Sequence, residues 1–289
     1  MGLEETQRQV QNLAATFSRR AWLPRRLSLN RMAQYVLLVV FLFLSLLVLL
    51  VTLNIALRPR IAVLADFWGL PLPPYWHNFR WAWSYMGQPL LNTLLIIGTA
   101  VLGILLFAIP ASYALARIRF PGRRVLFYLI LAFIMIPPAI LLTPNFILAV
   151  QWGLKGTVHG LVLFYVGGGQ AFAIFLITTY FRTQEPEIFE AARLDGATEL
   201  QALRFIAIPL AWPILITVGI VNFLGLYSDL VWPSLMLPQD VRTVMIALHK
   251  VDPIGGAASF LLASVPQLLL FTVAMRYFAQ GLTSGALKA

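Results

Sequence analysis

Apolar residues in this chain come in long unbroken runs. Six stretches carry no Asp, Glu, Lys or Arg: residues 32–57, 81–116, 125–154, 156–181, 205–228 and 253–275, the shortest 23 residues long. About 20 apolar residues of helix cross the ~30 Å hydrocarbon layer of a bilayer. Lipid offers the backbone no hydrogen-bond partner, and runs this long satisfy it internally as helices rather than as barrel strands. The pattern predicts an all-α integral membrane protein with six transmembrane helices, near 34–54, 90–114, 125–147, 159–180, 207–230 and 257–278. With no fixed-period repeat and no low-complexity linker, the expected organisation is an N-terminal arm, 1–32, and a single transmembrane domain, 33–289.

Composition strengthens this reading. The chain is 60% hydrophobic and only 11% charged, against about 25% charged in soluble domains. The formal charge of +10 is therefore read as loop charge rather than as a nucleic-acid surface, because Lys and Arg mark cytoplasmic loops. The arm, the loops after spans 2 and 4, and the tail hold 15 Lys and Arg, from Arg8 to Lys288. The opposite loops hold 6: Arg58, Arg60, Arg80, Lys155, Arg242 and Lys250. Both termini are expected on the cytoplasmic side. The basic arm is too long for a cleaved signal peptide. Within it Val10, Leu13, Ala14, Phe17 and Ala21 fall at helical spacing, and two readings stay open, a helix on the membrane surface or a disordered basic tail. Absence of cysteine removes disulfides and thiolate sites.

Polar residues inside spans are costly and are candidates for a solute path. Asn92, Asn145, Gln170, Asn222 and Gln267 qualify, and so does Asp229, the carboxylate closest to a span interior. The amides serve equally well as interhelical glue. Trp152, Tyr227 and Trp232 could stack on a sugar, or form an ordinary aromatic belt. Prolines within the runs, among them Pro110, Pro137, Pro138, Pro144 and Pro213, with Gly167-Gly168-Gly169, read either as packing kinks or as hinges.

One stretch breaks the pattern, EAARLDGATELQALRFIAIPL at 190–210. Pro186 suits a first helical turn, and Glu185, Glu187 and Glu190 lie where the helix dipole favours anions. Gly196 supplies a left-handed stop. Thr198 with Gln201 makes a capping-box pattern that opens a second helix, which runs through Leu200, Leu203 and Ile206 to Pro209. The loop, 182–209, thus reads as helix, sharp turn, helix. Its first helix cannot bury Ile188, Phe189, Ala191 and Ala192 on every side, and its negative charge disfavours an anionic leaflet. It is expected to dock on another protein.

These residues resemble the EAA loop of ABC-transporter permease subunits: Glu190-Ala191-Ala192, Asp195-Gly196-Ala197, then Leu203, Ile206, Ile208 and Pro209. Leu203 stands where that pattern has phenylalanine. Three further segments resemble the carbohydrate branch of the family: GLPLPPYWHNFRWAW, FLGLYSDLVWPSLML and RYFAQGLTSGALKA, although Tyr227-Ser228 replaces the usual Trp-Asn before the acid. The resemblance spans about 30–289 and is nearest to the six-span permease of maltose-type importers. It implies the type I importer permease fold, with a coupling helix between spans 4 and 5, in a bacterial or archaeal cell membrane. The implied docking set is Ile188, Phe189, Glu190, Ala191, Ala192, Asp195, Gly196, Ala197 and Pro209. The candidate solute path is Asn145, Gln170, Asn222, Tyr227 and Asp229. The implied partners are a sister permease, two ATPase subunits that bind ATP and Mg, an extracytoplasmic solute-binding protein and a sugar.

No G-x-x-x-x-G-K-[ST] phosphate loop and no H-E-x-x-H occurs, and His77, His159 and His249 lie far apart in the chain. The chain is expected to be a transporter subunit without its own cofactor, not an enzyme. Two alternatives remain: a permease of the same class for a non-sugar solute, and a self-sufficient secondary transporter, which would be expected to show inverted halves and intramembrane carboxylates.

Overall fold

The computed structural model describes the backbone of residues 29–286, and side chains over 32–275 except 273. The expectations for the basic arm, its helical spacing included, and for Lys288 lie outside these residues. By internal contacts the chain divides into residues 1–51 and 52–289. Each is described by itself.

In the first unit the described residues belong to α1 (Leu29–Ala56). From Met32 on this helix is apolar all round, and its side chains up to Val51 are exposed or half-buried. A helix with no polar face suits lipid rather than water.

The second unit contains α2 (Arg60–Ala65), α3 (His77–Arg117), α4 (Arg123–Ile134), α5 (Pro138–Gln151), α6 (Val158–Thr183), α7 (Pro186–Leu194), α8 (Glu199–Ala202), α9 (Ile208–Tyr227), α10 (Val231–Met236), α11 (Val244–His249) and α12 (Ala257–Ala286). The helices α3 and α6 pack along much of their length, and α9 and α12 complete the bundle around them. Small residues set the α3–α6 approach. A Cβ on Gly103 would lie 2.6 Å from Val166, and one on Gly169 would collide with Ile104. Without a hydrophobic force between helices in lipid, such close backbone contact supplies the attraction.

Three elements differ from expectation. The second span is much longer than 90–114: its helix starts at His77 and runs 41 residues to Arg117. The third span is not one helix, because α4 and α5 meet at 98° across residues 135–137. Pro137 and Pro138 explain the break, since neither can donate to the ladder and Pro138 pushes its predecessor out of the helical region; Pro137 has ψ 130°. The fifth span is continuous with α8 through a π turn, Leu203–Ala207. There the Ile208 N–H reaches Leu203 O, five residues back. Pro209 follows at once and has no N–H to continue an α ladder, so the wider turn sits where a normal bond is unavailable anyway.

Four helices among the described residues are long and apolar enough to cross a bilayer: α1, α3, α6 and the α8–α9 unit. The bent α4–α5 pair makes a fifth passage if read as one broken span, and α12 is apolar over Ala257–Thr272.

Candidate functional site

The charged loop folds as its sequence predicts. Pro186 opens α7, and Glu187 sits in its first turn. The helix closes through Ala197 N–H to Ala192 O at 2.9 Å and Gly196 N–H to Arg193 O at 3.0 Å. Gly196 carries the left-handed φ of 84° that this closure needs. The Thr198 hydroxyl accepts from Gln201 N–H at 3.3 Å, and Gln201 Oε1 accepts from Thr198 N–H at 2.8 Å, a complete capping box.

What holds this unit to the bundle was not predicted. Phe189 is only 1% exposed and joins Tyr113, Phe181, Ala202, Leu203 and Ala207 in the main core. The Arg117 guanidinium lies 4.1 Å from its ring centroid. Arg117 also donates from Nη2 to Phe181 O and Gln184 O, both at 2.6 Å, across the end of α6. Carbonyls at a helix C-terminus lack internal partners and attract cations, so the last residue of α3 both caps α6 and roofs Phe189. A second tie runs through Glu199. Its Oε2 accepts from the Tyr113 hydroxyl and its Oε1 from Arg193 Nε, each at 2.8 Å. The hydrogen bond to Glu199 raises Arg193 above the ordinary guanidinium value. With both side chains of this ion pair about half exposed, its worth is small. Its role is to bracket the turn.

One expectation is therefore corrected. Phe189 does not share an outward face with Ile188 and the alanines; it is the anchor. A nine-residue helix is too short to stand by itself and needs an apolar root. The outward residues are Ile188, Glu190 and Ala191, with Ala192 half-buried. Leu194, Leu200 and Phe205 add apolar surface, at 89%, 73% and 67% exposure. Leu194 and Phe205 had no place in the expected docking set, although an apolar residue on a charged loop is itself a signal. Asp195, Gly196, Ala197, Gln201 and Phe205 line a cavity of about 330 Å³ beside the turn. Pro209 sits in the first turn of α9, just past the π turn.

Two adjoining cavities, of about 550 and 460 Å³, open between α4, α5 and α6. Asn145 borders both, Gln170 and Trp152 the first, and Asp229 and Trp232 the second. The Asn145 side chain forms no hydrogen bond with the described residues, which leaves it available to a solute, whereas Gln170 Oε1 lacks a partner but is itself buried. Asp229 is committed: Oδ1 accepts from Val231 and Trp232 N–H at 2.9 and 3.2 Å, and Oδ2 from the Tyr165 hydroxyl at 2.9 Å. It caps α10 and ties it to α6. Trp232 stacks on Phe164 at 5.4 Å.

Two other path candidates lie elsewhere. Tyr227 is buried, and its hydroxyl donates to Ala263 O at 2.6 Å. It is a bolt between α9 and α12 and lines neither of these two cavities. Asn222 bonds back to Val218 O at 2.8 Å, with its Oδ1 close to Gly169 at the α6–α9 crossing. Asn92 donates to Arg242 O at 3.1 Å, the glue role expected for span amides. Tyr165 and Phe164 were missed, because nothing in an apolar run separates a cavity aromatic from its neighbours.

Residues 108–284, more than half of the chain, match the family described as "Binding-protein-dependent transport system inner membrane component". The chain belongs to this family. It is thus an inner-membrane permease component of a transport system, multi-pass, and not an enzyme. The diacetylchitobiose uptake system permease protein NgcG of Streptomyces coelicolor is 31% identical over 230 residues, 75% of this chain and 76% of the relative. The maltose/maltodextrin permease MalG of Salmonella typhimurium is 33% identical over 233 residues, 76% of each. The melibiose/raffinose/stachyose import permease MelC of Bacillus subtilis is 31% identical over 237 residues, 76% of this chain and 84% of the relative. A chain of a bacterial ABC transporter that imports the acidic polysaccharide alginate superposes with a TM-score of 0.77 at 22% identity, over 89% of this chain and 99% of that one. That likeness speaks to fold alone.

Proposed function

We propose that this permease carries a sugar or oligosaccharide inward and is driven by a separate ATPase that grips α7. The observation that carries the reading is the rooting of the loop. Phe189, Arg117 and Glu199 fix α7 to α3 and α6, while Ile188, Glu190 and Ala191 stay exposed for a partner. A lever needs both a rigid root and a free face. The relatives named for diacetylchitobiose, maltose and raffinose-type sugars support the substrate class.

In this reading the chain crosses the membrane six times: α1, α3, the broken α4–α5 pair, α6, the α8–α9 unit and α12. Both termini and the α7 loop are cytoplasmic, consistent with the split of basic residues. A sister permease pairs with it, an extracytoplasmic binding protein delivers the solute, and two ATPase subunits hold ATP and Mg. Closure of the ATPase pair pulls on α7 and, through its root, on α3 and α6. Those helices then reopen the cavities at Asn145 and Gln170 to the other side.

The test is reconstitution of the chain with a sister permease, an ATPase and a binding protein from the same source, in vesicles loaded with ATP. Uptake of labelled maltodextrin, chitobiose-type or raffinose-type sugar that requires ATP and the binding protein is expected. ATP-independent uptake by the chain alone would replace the proposal with a secondary transporter.

A further inference from the structure

The junction of α3 and α4 holds a basic cradle apart from the two solute cavities and the α7 loop. Arg119, Phe120, Gly122, Arg123, Arg124 and Val125 line a cavity of about 330 Å³, with no carboxylate in its wall. Arg123 is pinned by a hydrogen bond from Nη1 to Ile118 O at 3.1 Å. Arg119 and Arg124 are exposed. Neither makes an ion pair or hydrogen bond with the described residues, whose two ion pairs join Arg60 to Asp252 and Arg193 to Glu199. Three like charges around one small cavity repel each other and call for an anion.

Orientation of the chain requires basic residues somewhere in this loop. It does not require three of them to line one cavity at the foot of an apolar stripe, which is what α4 provides. Val125, Tyr128, Leu129 and Phe133 fall at i, i+3, i+4 and i+8, and are 63%, 66%, 54% and 62% exposed. The opposite face is used within the chain: Phe127 is 8% exposed, packs on Phe175 at 6.3 Å and lies under the Arg182 guanidinium at 4.2 Å. From Val125 to Phe133 the stripe runs roughly 12 Å at 1.5 Å per residue. A cationic head pocket leading into an apolar track of that length matches one class of molecule in shape and charge.

We propose that this cradle binds an anionic phospholipid, with its phosphate among Arg119, Arg123 and Arg124 and an acyl chain along Val125, Tyr128 and Leu129. Basic pockets at the ends of membrane helices recognise such headgroups, at about 1 kcal/mol per basic residue, which corresponds to about fivefold each.

The test exploits the lack of cysteine. A fluorophore on Tyr128→Cys is placed in bilayers containing brominated phosphatidylglycerol or brominated phosphatidylcholine. Phosphatidylglycerol should quench preferentially. Arg124→Gln, at an exposed and unbonded side chain, should lower that preference about fivefold. The triple Arg119→Gln, Arg123→Gln, Arg124→Gln should abolish it, and Arg80→Gln with Arg242→Gln should leave it intact. Equal quenching by the two lipids would overturn the proposal. A preference lost in the assembled transporter would mean that the sister permease covers the stripe, and would equally overturn it.

Discussion

Replacing Phe189 by alanine should detach α7 from the bundle without touching any outward residue. The ring is 1% exposed, and truncating a buried Phe costs about 3–5 kcal/mol. That range includes the contact with Arg117, since a cation–π pair contributes about 0.5–2 kcal/mol. At about 1.4 kcal/mol per tenfold, the docked-to-undocked ratio of α7 falls roughly a hundredfold to a few thousandfold. The helix has no second apolar anchor, because Leu194 and Ile188 face outward. The assay is a spin label on Ala191→Cys, a unique cysteine in this chain, with ATPase retention read separately on variants that keep Ala191. In Phe189→Ala the label should pass from a restricted to a mobile spectrum, and the ATPase should be retained poorly on purification. Ile188→Ala should weaken ATPase retention while the label stays restricted. A restricted label in Phe189→Ala would refute the anchor and the lever with it.

Four further outcomes are expected. Gly196→Val should lower transport with the chain still inserted, since a Cβ there meets nothing within 4 Å and the cost is the left-handed φ alone, about 1–2 kcal/mol; Gly196→Asn should be milder, and uptake assays on both check this. Glu190→Lys should lose ATPase on co-purification more than Glu187→Lys, an exposed glutamate in the first turn of the same helix, does. Asn145→Leu should impair uptake at normal thermal stability, whereas Tyr227→Phe should lower stability by about 0.5–1.5 kcal/mol and leave the solute preference unchanged, as melting and competition assays can distinguish. Reporters after Gly2 or Ala289 should read cytoplasmic, and one within 58–80 should read outside.

Much of the fold was legible because its signals are local. A run of apolar residues is long enough to cross or it is not, and Pro186, Gly196 and the Thr198–Gln201 box each act within one turn of chain. The break at Pro137-Pro138 was visible as a hinge candidate, but its 98° angle depends on what α4 and α5 pack against. The π turn was illegible because Pro209 permits it without demanding it. The site divided along the same line. Glu190 and Ile188 lie outward as the pattern suggested, but the inward turn of Phe189 depends on Arg117, 72 positions earlier in the chain. Asn145, Gln170 and Asp229 gather at adjoining cavities, whereas Tyr227, chosen as an aromatic that could stack on a sugar, is buried and spends its hydroxyl on Ala263. Burial decides between the two cases, and burial is a property of the whole bundle.

The π turn at Leu203–Ala207 also sets a rule about chain length. An α-helix advances about 100° and 1.5 Å per residue. The wide turn takes five residues through roughly the angle that four cover in an α-helix, so α8 and α9 keep nearly the phase of a plain helix one residue shorter. Deleting exposed Arg204 should therefore let the ladder close as plain α-helix with Phe189 still in its socket and Glu199 still on Tyr113. Deleting one residue from the regular part of α9 would instead swing everything upstream by about 100°. The turn is a spare residue held in the helix, the one place on this path where the chain can shorten without turning the loop away.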